Sequence, residues 1–217
     1  MIDAYPDTFA GISIHLSSSD PYTTAWGNMR ANLYGVYWIP WSVQDGLYDA
    51  NPHQTYESSF LGRQAVPTDV TIDMEVLGSG ALWDVRATVC IEPGGTGKTM
   101  DIFMAQMLDH YGPVNFTRNM VQDGSTGDEI TVAPDECMLV TESFVLNSVS
   151  QASPENVKFF AWAQDPNFVW APNPTPPPDG YYWAEVYQAD KALAPFAGVF
   201  VDGFETGDES NWSVVTP

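Results

Sequence analysis

Positive charge is what this 217-residue chain has least of: seven Lys and Arg stand against 28 Asp and Glu, for a formal charge of −21. Phosphate backbones and anionic lipid surfaces are bound by basic stripes, so nucleic acid and acidic membrane surfaces are excluded as partners on charge alone. Cysteine is scarce as well. Cys90 and Cys137 are the only two, and their wide separation rules out a Cys-x-x-Cys redox pair within the chain. His15, His53 and His110 fall on three different expected elements, with no spacing that gathers them as a metal trio. No apolar run approaches the ~20 residues a membrane helix needs, and the N-terminus shows no basic region followed by an apolar one. A catalytic triad, a glycosidase carboxylate pair and an HExxH motif are missing too. Apolar residues at 44% and aromatics at 13% nevertheless supply a core.

The first third of the chain has α/β character. Residues 9–16, FAGISIHL, read as a short buried strand. Asp20 before Pro21 suits a helix N-cap, so a helix is expected over 21–33, with Trp26, Met29, Arg30 and Leu33 around it and Gly35 just past its end. In residues 34–46, YGVYWIPWSVQDG, Pro40 should open a strand or occupy a bulge because it cannot donate to a ladder. Asp45-Gly46 then marks a tight hairpin. A second helix is expected over 53–64, with Tyr56, Phe60 and Leu61 on one face. Met1 to Pro6 resembles the last turn of a helix stopped by proline, which suggests a truncated product, a fragment or a misplaced start.

From residue 67 the pattern turns to β. Residues 69–76, DVTIDMEV, alternate strictly, with Val70, Ile72, Met74 and Val76 on one face, as a half-buried antiparallel strand does. Gly78-Ser79-Gly80 turns the chain, and residues 82–91 repeat the alternation with Val85, Ala87, Val89 and Ile91 inward. Further strands are expected at 129–133, 137–146, 157–164 and 181–188, separated by Gly and Pro turns, as in a β-sandwich. Residues 171–180, APNPTPPPDG, read as a stiff extended insertion. Glu92 to Thr99, EPGGTGKT, ends like a phosphate-binding loop, but Glu92 stands where that motif requires glycine. A glycine-rich hairpin loop between two strands is the better reading. For 99–109 the spacing of Met100, Phe103, Met104, Met107 and Leu108 favours a helix and the β surroundings a strand; a strand is expected.

Cys90 and Cys137 lie on the polar faces of their strands, compatible with a partly exposed disulfide between neighbouring strands or with two separate thiols. His15 reads as a strand-end imidazole. The methionines with His110 could suggest a soft copper site, but core packing is the simpler reading. Near the C-terminus, Asp202, Glu205 and Asp208 could coordinate calcium through oxygen. There Phe204-Glu205-Thr206-Gly207-Asp208 and Trp212 resemble the segment that begins many secreted carbohydrate-binding jelly rolls, and also a short tail recurring on secreted bacterial proteins.

Together the chain resembles the C-terminal portion of secreted or outer-membrane thioredoxin-like proteins, in which a thioredoxin domain precedes an Ig-like β-sandwich. The likeness rests on Ile12-Ser13-Ile14-His15 as the central strand, Arg30 with Tyr34-Gly35, and Ile39-Pro40 as the cis-proline. Within the sandwich it rests on Gly127-Asp128-Glu129-Ile130, Phe160-Ala161-Trp162-Ala163-Gln164-Asp165 and Glu185-Val186-Tyr187-Gln188-Ala189. The resemblance implies an α+β fold: a partial thioredoxin-like α/β segment over 1–65, an antiparallel Ig-like β-sandwich over 66–190, and an acidic tail over 191–217. It also implies a substrate groove walled by Ile39, Pro40 and Trp41. The Cys-x-x-Cys of that family opens a helix ahead of the 9–16 strand and would lie upstream of Met1.

The expected function is therefore a non-catalytic exported binding or surface module of a bacterium, holding a peptide or protein partner by strand addition. The alternatives are a fragment of a thiol–disulfide oxidoreductase and a calcium-stabilised adhesion module; no cofactor other than calcium is expected. The expected location is extracellular, periplasmic or at the outer membrane. Half a thioredoxin sheet would leave an open apolar edge, so either contact between residues 1–65 and the sandwich or loose packing is expected.

Overall fold

The computed structural model describes residues 1–16, 20, 22–36, 42–49, 56–110, 118–172 and 180–194. Its centre is a sandwich of two antiparallel sheets. One holds β3 (Val70–Ser79), β4 (Leu82–Ile91) and β8 (Cys137–Val145) in the order β3-β4-β8. The other holds β12 (Val186–Leu193), β9 (Val157–Gln164) and β5 (Lys98–Leu108), with β5 pairing β6 (Met120–Gly124) along one half and β7 (Asp128–Val132) along the other. The expected alternation holds: Val85, Ala87, Val89 and Ile91 are buried while the residues between them are not.

The five-stranded sheet is covered on both faces. Met100, Ile102, Met104, Phe159, Ala161 and Ala163 pack against the three-stranded sheet. From its other face Phe103, Ala105, Met107, Phe160 and Trp162 meet Trp26, Ala10, Ile12 and Ile14 of the N-terminal segment. A strand buried on both sides reads as a continuous apolar run, which is why periodicity pointed to a helix at 99–109 where the structure has the strand β5.

The N-terminal segment consists of α1 (Ala25–Leu33), the hairpin β1 (Ser42–Gln44) with β2 (Leu47–Asp49), and α2 (Tyr56–Gln64). The hairpin turn places Asp45 and Gly46 at φ 45° and 76°, a type I′ turn. Residues 9–16 do not form the expected buried strand. They run half-buried over the sheet and contribute a single parallel bridge, Ser13 to Met120. The residues are apolar because they cover a face, and covering needs no partner strand. α1 starts four residues later than expected, since Thr24, not Asp20, caps it: the Thr24 Oγ1 accepts the Gly27 N–H at 3.0 Å. Gly35 follows its end at φ 64°.

Three further expectations are corrected. The glycine-rich loop at 92–97 is not a hairpin: β4 and β5 belong to different sheets, so the loop crosses between them. The expected strand 181–188 is two elements, β11 (Gly180–Trp183), paired with β10 (Val169–Pro172), and β12. β12 runs to Leu193, three residues into the expected tail. β6 and β10 were not foreseen. α3 (Ser148–Ala152) is a single short helix before β9. No helix among the described residues is long and apolar enough to cross a membrane. The described chain is a β-rich α+β structure.

Candidate functional site

The N-terminal layer meets the sandwich around Arg30. In α1, Trp26 and Arg30 are one turn apart on the buried side, and Gly27 lets the helix approach closely; a Cβ there would come within 2.9 Å of Ile14. The Arg30 side chain is 3% exposed and sits among four rings, 4.3 Å from Phe103, 5.1 Å from Tyr34, 5.4 Å from Trp162 and 5.9 Å from Trp26. Its Nη2 donates to the Tyr34 hydroxyl at 3.0 Å and to Gln164 Oε1 at 2.9 Å, while Nη1 has no hydrogen-bond partner among the described residues. Burial holds the guanidinium below its ordinary value, with Tyr34 and Asp101 offsetting only part of the shift. The faces of the rings supply the attraction that a carboxylate would otherwise give. Arg30→Lys keeps the charge but loses the planar fork that reaches both partners; a loss of about 1–2 kcal/mol in a urea melt is expected, and an unchanged midpoint would refute the role.

Beside this cage lies a groove of about 1050 Å³ between residues 7–16, the β1–β2 turn, α2 and the start of β12. Phe9, Phe60, Trp162 and Tyr187 give it apolar walls. Its charged groups are engaged with one another. Arg63 of α2 donates to Asp45 at 3.1 Å and to Glu185 at 3.0 Å, and Lys98 pairs with Asp69. Hydrogen bonds from Lys98 and from the Thr96 N–H hold the Asp69 carboxyl below its usual range. Burial and a hydrogen bond to Asp165 push the Tyr187 hydroxyl up to about 12. The β1–β2 turn is fastened to the sandwich as Ala184 and Val186 donate to the Gly46 and Asp45 carbonyls. A Cβ on Gly46 would lie 1.7 Å from the Ala184 oxygen, so only glycine fits.

Of the residues singled out from sequence, Ile39, Pro40, Trp41, His53, Asp202, Glu205 and Asp208 lie outside the described residues. Val36 and Ser42, on either side of the Pro40 stretch, line the groove. Cys90 and Cys137 are directly opposite on β4 and β8, with Cα atoms 4.1 Å apart, and are joined by a disulfide. His15 Nδ1 lies 2.7 Å from Asp20 Oδ2. Met100, Met104 and Met107 are buried core. Among the described residues no group of three His, Cys, Asp or Glu is placed to hold a metal ion.

Sequence reasoning missed the centre at Asp109, just after β5. Its carboxylate, 4% exposed, accepts from Arg118 Nε and Lys158 Nζ at 2.6 Å each and from the backbone N–H groups of His110 and Asn119. Burial alone would raise its pKa, but these donors hold it far below the carboxylate range. Arg118 also reaches Asp3 at 2.7 Å, and Lys191 donates to the Pro6 and Phe9 carbonyls. With Arg86 paired to Glu75, all seven Lys and Arg are engaged inside the chain. Arg30, Arg63, Arg118 and Lys191 each tie the first 65 residues to the sandwich. The expected contact between the two is therefore present, and the remaining surface is acidic. The only sequence signal for Asp109 was a carboxylate directly following the largely apolar stretch 102–108.

No protein-family model matches the chain, and no curated protein matches it. Among solved structures, HBP35 of Porphyromonas gingivalis is similar at a TM-score of 0.54 and 10% identity, over 75% of this chain and 55% of that one. A β-glucosidase from Kluyveromyces marxianus aligns at a TM-score of 0.32 and 6% identity, over 58% of this chain and 14% of that one, too low to carry an argument. The chain thus spans about half the length of the HBP35 chain it resembles, and the likeness is one of fold.

Proposed function

We propose that this chain is a non-catalytic exported binding or surface module, with a thioredoxin-like segment over 1–65, an Ig-like sandwich over 66–190 and an acidic tail over 191–217. A peptide or protein partner is held by an open sheet edge or by the groove beside Pro40. The observation that carries this reading is the bond between Cys90 and Cys137. The chain has only these two cysteines, and both are used in a cross-strand tie, which leaves no thiolate for disulfide exchange. Disulfides persist in oxidising compartments, which supports export. The fold likeness to HBP35 is compatible with this reading.

Reduction of insulin by dithiothreitol, followed by turbidity, tests it. The expected rate with added protein equals the dithiothreitol background. Acceleration that disappears in Cys90→Ser would favour a thiol–disulfide oxidoreductase instead.

A further inference from the structure

The three-stranded sheet ends in β8, and among the described residues no strand pairs with its outer side. Hydrogen-bond parity shows what that side offers. In the β4–β8 register Leu146 donates to the Ala81 carbonyl and Ile91 donates to the Glu136 carbonyl, so the even-numbered residues of β8 face β4. Leu139, Thr141, Ser143 and Val145 therefore turn their N–H and C=O groups outward. Edge strands are commonly blunted by proline, lysine or a bulge. CMLVTESFV contains no proline or lysine, and its pairing with β4 runs without a register shift.

The flanks of this edge are chemically distinct. On the outer face Leu139 and Val145 are 61% and 69% exposed. On the inner face Val140 and Phe144 are buried, but Met138 is 41% exposed and Glu142 only half-buried, so the mouth between the sheets stays open there. Glu142 makes no hydrogen bond or ion pair among the described residues. Burial, then Asp128 and Asp123 of the facing sheet, push its carboxyl up from the ordinary value. The chain has no spare cation to place among these three carboxylates.

We propose that β8 receives, by antiparallel strand addition, a strand of a partner protein with a Lys or Arg opposite Glu142 and apolar residues beside Leu139 and Val145. Residues opposite even-numbered positions form the close, non-hydrogen-bonded pairs and point into the mouth, where a cation opposite Glu142 also lies in the field of Asp128 and Asp123. Residues opposite odd-numbered positions take the ladder hydrogen bonds and lie on the outer face, where Leu139 and Val145 are the exposed apolar neighbours. The assignment rests on the binding-module reading and gives it a surface and a partner chemistry.

The probe is a fluorescein-labelled, capped nine-residue peptide alternating valine and lysine, titrated by anisotropy at physiological ionic strength against the intact chain. A matched peptide with glutamate in place of lysine is the control. Saturable binding of the lysine peptide alone is expected. Thr141→Pro removes an outward N–H without touching the bonds to β4 and should abolish binding. Glu142→Lys should weaken the lysine peptide by at least about tenfold and admit the glutamate peptide. Equal binding of both peptides, binding indifferent to both variants, or no binding would overturn the proposal. So would self-association lost in Thr141→Pro without any peptide binding, which would assign the edge to a second copy of the chain. The insulin assay reads thiol chemistry at Cys90 and Cys137 and not the outward edge of Leu139 to Val145, so the two readings fail separately.

Discussion

Replacing Cys90 and Cys137 together with serine is expected to cost about 3 kcal/mol and so to lower the melting temperature by roughly 6–12 °C. The bond spans a sequence separation of 47. Closing a loop of that length restricts the unfolded chain by about 4 kcal/mol in the entropic model, and native disulfides usually return about 2–4. The folded side contributes little to the difference. Cys90 and Cys137 are already neighbours in an unbroken ladder from Leu82↔Val145 to Cys90↔Cys137, so the strands hold their places without the bond. The effect should appear in the unfolded state as a steeper dependence on urea for the double variant, whose longer free chain exposes more surface. Urea melts of the oxidised chain and of the variant check both parts. A loss below about 1 kcal/mol would mean that the unfolded state is already compact around this pair of strands.

Asp109→Asn should cost about 3 kcal/mol at neutral pH, because it leaves Arg118 and Lys158 without their shared carboxylate at a nearly closed site. The same network fastens Asp3 through Arg118 and Gly11 through Asn119, so the N-terminal segment should loosen first. Faster amide exchange at residues 9–14 than in β4 would show this. The acid dependence has a definite sign. The folded-state pKa of Asp109 is depressed below the unfolded value of about 3.9. Its contribution is therefore present in full above that unfolded value and is lost as the pH falls below it toward the folded pKa. The stability gap between wild type and Asp109→Asn should close progressively below about pH 4. A gap independent of pH would show that Asp109 acts through packing and not through its charge.

How far the fold could be read in advance depended on how many faces each strand buries. β3 and β4 were legible because one face is wet and one is dry, so Val70 to Val76 and Val85 to Ile91 alternate. β5 was ambiguous because Ile102 to Leu108 is buried at every position, with neighbours on both sides of the sheet. β6 was missed because its five residues, MVQDG, carry too little pattern to stand out. The loop at 92–97 has the composition of a hairpin, but whether its strands share a sheet is decided by β8, more than forty residues away.

The candidate sites divide in the same way. That Cys90 and Cys137 both sit on polar faces is a local fact, visible in the alternation; that they lie opposite each other follows from register. Arg30 and Tyr34 lie one helical turn apart in sequence, yet Phe103, Trp162 and Gln164 arrive from distant strands. Nor does the charge of β8 announce its role: Glu142 looks like any solvated strand acid until Asp123 and Asp128 face it from the other sheet.

By itself the sequence determined the acidity of the chain, the β-rich pattern after residue 67 and the lack of a Cys-x-x-Cys pair within it, because composition and short-period alternation act locally. Tertiary structure alone decided that residues 9–14 cover a sheet instead of joining one, that the few cations are used as clamps and that, among the described residues, no strand pairs with the outer side of β8. Those outcomes depend on which faces and edges meet, and contacts between residues far apart in the chain leave no periodic mark on either partner.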